Sequence, residues 1–283
     1  MNYFIFKCYP MYKYYCMIKC NKCQIQKKDF LFYYRNKKQN KRRKVCKKCM
    51  NLKSKKIRLE KRDPTLRKYS KYRLDETIFL NDNEEVYYYA GLLAADGCLF
   101  KVSKKSKRIS LTLHERDIST LRNFKNFLKY DGNILFYRKI YPYISITGAK
   151  KLTSILEKKF NIVENKSLIY NPPNINKLNL ALAFIIGYID GDGCIYKPKT
   201  NNSYQLHILG TQKMLDFICN TFKIIEPSFN LKPRQSCSKN NLVKTLALCG
   251  NFKSDKYKYK NILKALLKIN VPKMERKWNK IIN

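Results

Sequence analysis

The sequence predicts an α+β fold made of two similar halves, preceded by a small and strongly basic N-terminal region. Two observations predict the halves. A segment rich in small and apolar residues that ends in Asp-Gly-Cys occurs twice, as YYYAGLLAADGCL at 87–99 and AFIIGYIDGDGCI at 183–195. Each copy is followed by the same order of strand and helix patterns, which is typical of an internal duplication. The predicted organisation is a basic cysteine-containing module at 1–65, a linker at 66–82, a first repeat at 83–165 and a second repeat at 166–283.

The charge of the chain indicates a polyanionic partner. The 283 residues include 60 Lys and Arg against 20 Asp and Glu, a formal net charge of +40. Such a charge opposes compaction unless a partner such as nucleic acid neutralises it. An AT-rich genome would raise the lysine count, but it does not account for the scarcity of acidic residues. We therefore expect nucleic-acid binding.

Other classes of protein fit the sequence less well. The longest apolar run, LALAFIIGYI, has ten residues, which is short of the ~18 that a membrane helix needs. The N-terminal stretch is broken by Lys, Tyr and Pro and makes a poor signal peptide. Eleven cysteines, an odd number, favour reduced thiols or metal ligands over a disulfide framework. We expect an intracellular protein with no membrane association.

The first repeat has a regular pattern of elements after its apolar helix. CLFKV and RISLTLHERD read as strands, and in the second of these Ile109, Leu111 and Leu113 alternate with polar residues. DISTLRNFKNFLKY has apolar residues at helical spacing. NILFYRKI and PYISITG read as two further strands, and KKLTSILEKKF as a closing helix. This order is αββαββα.

The second repeat follows the same order. CIYKP and SYQLHILG read as strands, QKMLDFICNTFKII as a helix, FNLKPRQS and LVKTLALCG as strands, and KYKNILKALLKI as the closing helix. A segment around NKSLIYNPPNINK joins the repeats, and its Pro-Pro pair predicts a stiff connection.

The duplicated segments predict two helices that pack against each other. Gly91 and Ala95 in one, and Gly187 and Gly191 in the other, are four residues apart and share a helix face. Small residues at this spacing allow close approach of two backbones. The glycine after each segment suits a left-handed helix stop.

Asp96 and Asp192 would then lie together where both helices end. Two carboxylates repel each other there and also face the negative end of the helix dipole, penalties that a hard divalent cation removes. The alternative is that Asp-Gly is merely good turn chemistry. A calcium-binding EF-hand is excluded, because the other acidic positions of such a loop are missing.

These segments, YAGLLAADG at 89–97 and IIGYIDGDG at 185–193, resemble the motif that names the LAGLIDADG homing endonucleases, in their two-motif single-chain form. The first copy departs from the motif at Tyr89 and Ala94. The resemblance covers about residues 84–283. It implies two αββαββα halves packed through the motif helices, with antiparallel sheets that form a basic saddle over double-stranded DNA. It also implies a monomer with a long pseudo-palindromic or asymmetric target.

The implied activity is hydrolysis of both DNA strands across the minor groove, leaving 3′ overhangs. The resemblance assigns Mg²⁺ or Mn²⁺ to Asp96 and Asp192, with help from the backbone carbonyls of Ala95 and Gly191. A non-cleaving nucleic-acid-binding protein of the same fold, such as an RNA maturase or a regulator, is the alternative. A further alternative is a zinc-containing nucleic-acid-binding protein whose C-terminal part is only structural.

Weaker assignments concern residues around the proposed cation. Members of the family often place a polar residue at the end of the second strand, which here indicates Asp117 and Gln212, and helix N-capping is the alternative for either. A lysine after the fourth strand is also common in the family, and Lys150 fits. In the second repeat KSDKYKYK offers several candidates. Cys98 and Cys194 are expected to be buried strand residues and not ligands.

The strand faces are expected to contact DNA bases or phosphates. Any one of the candidate residues could instead be an ordinary solvated sheet residue. The candidates are Thr112, His114, Tyr137, Arg138, Gln205, His207, Arg234 and Lys244.

The N-terminal region has four cysteines in a CxxC…CxxC pattern, at Cys20, Cys23, Cys46 and Cys49. Four thiolates suit a tetrahedral structural Zn²⁺, which would stabilise a region with little core beyond Phe30 and Phe32. Four unrelated cysteines are the alternative, and Cys8 or Cys16 could replace a ligand. An HNH nuclease is excluded because both histidines lie elsewhere. The spacing resembles that of small zinc modules found before phage and viral endonuclease domains. We expect an auxiliary DNA clamp.

Overall fold

The computed structural model describes residues 16–60, 72–103, 106–196, 205–236, 242–249 and 255–282. The chain divides into two compact units, Met1–Tyr69 and Ser70–Asn283. Within the second unit, Phe79 is fully buried and Leu74 and Ile78 pack against the core, so the segment before the first motif helix contributes to that unit.

The first unit is built from two small hairpins and a helix. Strands β1 (Met17–Lys19) and β2 (Gln26–Lys28) pair antiparallel, as do β3 (Phe32–Asn36) and β4 (Lys41–Cys46). Helix α1 (Lys47–Glu60) follows β4 directly. Phe32 and the four cysteines of the CxxC pairs form the core, whereas Phe30 is exposed. So small an apolar core agrees with the expectation that this unit needs another source of stability.

The first half of the second unit has the αββαββα order that the sequence predicts. Its elements are α2 (Glu84–Ala95), β5 (Gly97–Ser103), β6 (Ser106–Thr112), α3 (Ile118–Phe127), β7 (Leu135–Tyr137), β8 (Tyr141–Thr147) and α4 (Lys150–Phe160). The four strands form one antiparallel sheet in the order β5-β6-β8-β7.

The second half repeats this order and adds one helix. Its elements are α5 (Leu178–Asp192), β9 (Gly193–Tyr196), β10 (Gln205–Gly210), α6 (Gln212–Ile225), β11 (Arg234–Gln235), β12 (Lys244–Cys249), α7 (Asp255–Lys268) and α8 (Glu275–Ile282). The sheet order, β9-β10-β12-β11, is the same as that of the first half. Helix α8 was not predicted, because it is short and strongly charged; its apolar side is formed by Trp278 and Ile281, and Met274 precedes it.

The sheets bury one face and expose the other, as the period-two alternation predicts. Ile109 and Leu111 of β6 are buried against the helices, while Thr112 is exposed on the opposite face. The strand ends earlier than expected, because residues 115–117 form a 3-10 turn. The His114 ring accepts a hydrogen bond from the Arg116 backbone N–H at 3.2 Å at the start of this turn.

No helix in the described residues has both the length and the hydropathy required to span a membrane.

Candidate active site

The two motif helices, α2 and α5, pack backbone against backbone. A Cβ atom placed on Gly187 would lie 1.9 Å from the Tyr88 carbonyl oxygen, and one on Gly91 would lie 2.0 Å from the Phe184 carbonyl oxygen. Neither distance is compatible with a side chain. The two glycines therefore allow the close approach that their spacing predicts, and each faces the other helix.

The contacts along this seam show that the helices run in the same direction. Gly91 faces Phe184, and farther along both helices Gly191 faces Ala95, whose Cβ would lie 2.3 Å from a Cβ on Gly191. Such a Cβ would also lie 3.3 Å from the Asp96 carboxyl carbon. Because contacting positions advance together, both helices end at the same place, with Asp96 and Asp192 at the foot of the seam.

The glycine after each motif helix has a different role from the expected one. Gly193 has φ −98° and ψ 153°, which is extended backbone, and among the described glycines positive φ occurs at Gly148. The prediction of a left-handed stop at Gly97 and Gly193 was therefore wrong. Glycine is required because a Cβ at either position would lie 2.5 Å from a carbonyl oxygen of its own helix, that of Leu93 or Ile189. The chain turns sharply into the strand there.

The electrostatics of the two aspartates agree with this proximity. The Asp96 side chain contacts solvent, yet the protein around it removes much of its hydration and raises its pKa to about 6, with a further upward contribution from the Asp192 charge. Burial also raises the pKa of Asp192, while Lys166 and the Tyr188 hydroxyl oppose that rise. Two carboxylates in one partly dehydrated recess are poised to accept a cation.

Lys166, from the segment that joins the two halves, places its ammonium group at the end of α2. The side chain is buried, and Nζ donates a hydrogen bond to the Ala95 carbonyl oxygen at 2.9 Å. Burial lowers the pKa of Lys166, and both Asp96 and Asp192 raise it, so this cation acts on both carboxylates. It also compensates the negative end of the α2 dipole.

Lys277 of α8 has the equivalent position at the end of α5. Its Nζ donates to the carbonyl oxygens of Ile189 at 3.0 Å, Gly191 at 3.2 Å and Gly193 at 2.7 Å, and to that of Asp190 at 2.5 Å. Burial lowers its pKa, and Asp190 and Asp96 raise it. Each motif helix therefore ends on one buried lysine, but Lys277 is held by more hydrogen bonds than Lys166.

Asp190 explains how α8 is held in place. Its carboxylate accepts hydrogen bonds from Tyr88 Oη at 2.8 Å, Trp278 Nε1 at 2.7 Å and the Met274 backbone N–H at 2.9 Å. The residue is 1% exposed, and burial raises its pKa to about 6. Ala94 occupies the equivalent position in α2, so the carboxylate at the centre of this network comes from α5, and the network links α5 to Tyr88 of α2 and to α8.

Asp117, which we predicted near the cation, is buried in a bidentate pair with Arg276. Arg276 Nε and Nη2 donate to its two carboxylate oxygens at 3.0 and 2.8 Å. The pair joins the first half to α8, and the Asp117 charge contributes to the raised pKa of Asp96. Asp117 makes no capping hydrogen bond, although it precedes α3.

The other predicted residues around the cation lie in more open positions. Gln212 is exposed and donates to Asp216 at 2.8 Å, while Thr211 caps α6. Lys150 begins α4 and lines a shallow groove with Thr77 and Leu80, whereas the buried ammonium groups at the motif helices belong to Lys166 and Lys277. Of the lysines in KSDKYKYK at 253–260, Lys260 is exposed on α7, and the other three lie outside the described side chains.

The sheet faces carry most of the proposed DNA-reading residues. Thr112, Gln205 and His207 lie on the face opposite the buried strand residues. Lys244 instead lies on the same face of its strand as the buried Leu246, and its Nζ donates a hydrogen bond to Gln235 at 2.6 Å. Tyr137 and Arg234 are exposed, and His114 and Arg138 lie just beyond strand ends.

The expected burial of Cys98 and Cys194 was wrong, because both are exposed. Each follows a motif glycine whose position faces the helices, and alternation turns the next residue to the opposite face of the sheet. Cys98 lies opposite Ser110, and Cys194 opposite His207, on the face that holds the DNA-reading candidates.

In the first unit, the four cysteines of the CxxC pairs form a compact cluster. The Sγ atoms of Cys20, Cys23, Cys46 and Cys49 all lie within 4.8 Å of one another. A tetrahedral zinc with Zn–S bonds of ~2.3 Å would need S···S distances of about 3.8 Å, so the cluster fits such an ion. Cys16 is exposed and outside the cluster, and Cys8 lies outside the described residues.

Hydrogen bonds to the sulfur atoms favour ionised thiols. Backbone N–H groups of Cys23 and Cys46 lower the pKa of Cys20 to about 6. Lys27 Nζ lies 3.6 Å from the Cys46 Sγ atom and stabilises its negative charge. The hydrogen bond between Cys49 and Cys46 raises the pKa of Cys49 to about 12, and a cation at the centre would overcome the repulsion among four thiolates.

No protein-family model and no curated protein sequence matches the chain. Solved structures similar to it include the LAGLIDADG homing endonuclease I-GzeII in complex with its DNA target, with 13% identity, a TM-score of 0.46, and coverage of 71% of this chain and 90% of that one. The LAGLIDADG meganuclease I-AabMI bound to uncleaved DNA has 18% identity, a TM-score of 0.41, and coverage of 69% and 86%. I-SmaMI bound to uncleaved target DNA with calcium ions has 13% identity, a TM-score of 0.43, and coverage of 69% and 87%. Similarity this distant assigns neither activity nor site residues, so the function of this chain is inferred from its own geometry.

Proposed function

We propose that this protein is a site-specific endonuclease that hydrolyses both strands of double-stranded DNA with the help of a divalent cation. The observation that carries the proposal is the foot of the α2–α5 seam. Two carboxylates, Asp96 and Asp192, end two parallel helices in one recess, and a buried lysine lies beside each helix end. A purely structural helix contact has no need of paired acids at the negative ends of two dipoles.

Asp96 and Asp192 would hold Mg²⁺ or Mn²⁺, because carboxylate oxygens are the preferred ligands of hard cations. A bound cation of this kind polarises a phosphate and lowers the pKa of an attacking water. The carbonyls of Ala95 and Gly191 also face this region, and in this structure they accept hydrogen bonds from Lys166 and Lys277. We assign them an assisting role, since a carbonyl oxygen has a second lone pair.

Lys166 and Lys277 would supply fixed positive charge beside the scissile phosphate. Burial holds each ammonium group in one place, and a preorganised charge in a partly dry site stabilises developing negative charge more than a mobile surface lysine does. The same charges favour the ionised forms of Asp96 and Asp192. Neither lysine has a signal in the sequence that distinguishes it from the many others.

Asp117, Gln212 and Lys150 remain candidates with smaller roles. The Asp117–Arg276 pair would position α8, and with it Lys277, relative to the first half. Gln212 is exposed just beyond the end of β10 and could orient water there. Lys150 is exposed at the start of α4, where we assign it a contact with substrate phosphate.

The exposed sheet faces would contact DNA. They offer Ser, Thr, His, Gln, Tyr and Cys side chains, whose hydrogen-bonding groups suit base edges. Two pseudo-symmetric sheets in one chain fit a monomer that reads a long target whose halves are related but not identical. The positive charge of the chain supplies the sequence-independent part of the affinity.

We assign Zn²⁺ to the Cys20, Cys23, Cys46 and Cys49 cluster, as a structural ion of the first unit. The closed set of four thiols leaves no position for substrate, which is the arrangement of structural zinc sites.

Cleavage of a plasmid that carries the uninterrupted version of the gene's own insertion locus tests the nuclease proposal. With Mg²⁺ we expect double-strand cuts with 3′ overhangs. Asp192→Asn should abolish cutting and retain binding to the same DNA. Asp131→Asn, which changes an exposed carboxylate that accepts a hydrogen bond from the Arg73 backbone N–H, is the matched control and should cut normally.

If the wild-type protein binds the target tightly but does not cut it, the chain is a binding protein of this fold. If Asp192→Asn cuts as fast as the wild-type protein, Asp192 has no part in the chemistry.

A further inference from the structure

The first unit has a basic groove that is separate from the cysteine cluster's interior. The groove, of about 940 Å³, lies between β4, the loop at Lys22 and the first turns of α1. Seven of its ten lining residues are Lys or Arg, and the rest are Val45, Cys49 and Met50. None of the ten is acidic or aromatic. The cations that project into it are Lys22, Arg35, Lys41, Arg43, Lys44 and Lys53.

This charge is not neutralised by the part of the unit that the structure describes. The acidic residues of 16–60 are Asp29 and Glu60, and Asp29 pairs with Arg42 at 3.3 Å. Arg42 also donates a hydrogen bond to the Phe32 carbonyl oxygen, so its guanidinium group is held by contacts within the first unit. Arg43, Lys44 and Lys53 are exposed and form no salt bridge with a described residue. Like charges crowded on one wall repel unless a polyanion lies among them.

The aromatic rings beside the groove identify the form of nucleic acid. Arg42 lies over the Tyr34 ring, with its Cζ 3.5 Å from the centroid, and Lys47 Nζ lies 5.4 Å from the Tyr33 centroid. The Tyr33 hydroxyl also donates to Asn51 at 3.4 Å. Both rings are about 40% exposed, but each has a cation over one face and neither lines the groove, so the groove itself offers no ring for stacking on unpaired bases of single-stranded RNA or DNA.

We propose that this groove binds the phosphate backbone of duplex DNA without reading its sequence. The groove offers point charges and guanidinium groups, which suit phosphates, and lacks the stacking surface that unpaired bases need. The cysteine cluster fixes the groove, because Cys46 ends β4 and Cys49 lies in the groove wall. This binding site is independent of Asp96 and Asp192, so it stands or fails separately from the nuclease proposal.

Salt dependence of binding tests the proposal in the full-length protein. The groove variant is Arg43→Ala/Lys44→Ala/Lys53→Ala, and the matched control, Lys37→Ala/Lys38→Ala/Lys48→Ala, removes the same charge from exposed positions outside the groove. The probes are a 40-base-pair duplex of scrambled sequence and a 40-nucleotide single-stranded RNA, with binding measured by fluorescence anisotropy without Mg²⁺.

Three lost phosphate contacts should reduce the slope of log K against log[salt] by about 2.7. Between 50 and 200 mM salt, the wild-type affinity for the duplex should then fall about 40-fold more than the groove variant's affinity. The control variant should keep the wild-type slope. The charge-conserving variant Arg43→Lys/Lys44→Arg/Lys53→Arg should also keep it, which excludes misfolding as the cause.

Equal slopes for the groove and control variants would overturn the proposal, as would loss of binding by the charge-conserving variant. Tighter binding of the RNA than of the duplex, lost in the groove variant, would replace duplex DNA by RNA as the ligand. The groove variant should still cut target plasmid at the wild-type rate when protein is saturating. The failure of the nuclease proposal would leave the expected slopes unchanged.

Discussion

Substitution of Gly187 by alanine tests the packing that brings the two carboxylates together. The added Cβ would lie 1.9 Å from the Tyr88 carbonyl oxygen and 2.8 Å from the Leu92 backbone nitrogen. Both obstacles are backbone atoms of a buried helix, so no side chain can rotate away. An ordinary contact of about 3.2 Å requires α2 and α5 to separate by roughly 1.3 Å.

The cost of this separation can be worked out from the contacts that it loosens. A gap of this size forfeits about half of the dispersion energy of each affected atom pair, which is ~0.15 kcal/mol at best. If roughly 40 pairs are affected, as many as one buried leucine side chain makes, the loss is about 3 kcal/mol. Alanine regains about 1 kcal/mol through its higher helix propensity. We expect a net destabilisation of about 2 kcal/mol.

Urea unfolding followed by tryptophan fluorescence would measure this change in the full-length protein. The single tryptophan, Trp278, is buried beside α5 through its bond to Asp190 and therefore reports on the second unit. Asn220→Ala, at an exposed position of α6, is the control, with an expected change within about 0.5 kcal/mol. Gly91→Ala has nearly the same geometry and should cost a similar amount.

The same substitution should impair cutting beyond its effect on stability. A displacement of about 1 Å at the reacting groups can cost about 100-fold in rate, and the separated helices would move Asp96 and Asp192 apart. Single-turnover cleavage below the unfolding range would detect this loss. If Gly187→Ala unfolds like the control and cuts at the wild-type rate, α2 and α5 do not pack backbone against backbone at Gly187, and the proposed cation site loses its support.

Three further predictions concern the lysines, Asp190 and the cysteine cluster. Lys277→Met should destabilise the second unit by about 2–3 kcal/mol, because buried carbonyl oxygens lose a charged donor, and it should slow single-turnover cleavage at least 100-fold. Lys280→Met, on the same helix, is the control. A normal cleavage rate in Lys277→Met would remove this lysine from the mechanism. Lys166→Met should slow cleavage to a similar degree with a smaller loss of stability, since it loses one hydrogen bond to Ala95, and equal losses of stability in the two variants would contradict this difference. Asp190→Asn should lower the unfolding free energy by about 1–3 kcal/mol in the same urea assay, because an amide cannot accept all three donors, and an unchanged value would refute the network. Cys46→Ser should abolish the binding of about one zinc per chain, measured by atomic absorption. The variant's first unit should become sensitive to protease, while the Trp278 fluorescence of the second unit is unchanged. Full zinc content in the variant would show that the cysteines do not hold the ion.

Local patterns in the sequence are enough to predict the duplicated αββαββα order, the alternation of the strands, the seam and the two CxxC pairs. Each of these depends on a local regularity: a period of two in a strand, small residues four apart on a helix, or a repeated CxxC spacing. Gly91 and Gly187 could be assigned to a helix contact because the two copies constrain each other. The alternation of the strand also predicts that Cys98 is exposed, because the preceding Gly97 faces the helices. We nevertheless expected Cys98 to be buried, and that expectation was wrong.

The residues that surround the carboxylates are set by the packing of the folded chain and not by any local pattern. Lys166 is 70 residues beyond Asp96 and Lys277 is 85 beyond Asp192, in a connecting segment and in a short helix that have no pattern of their own. Among 60 basic residues, the few that become buried are selected by chain packing, because a lysine gains a fixed role only where helix ends offer it unpaired carbonyl oxygens. The role of the glycines after the motif helices could not be predicted from the sequence for the same reason. The atoms that exclude a side chain at Gly97 and Gly193 are brought there by the folded backbone.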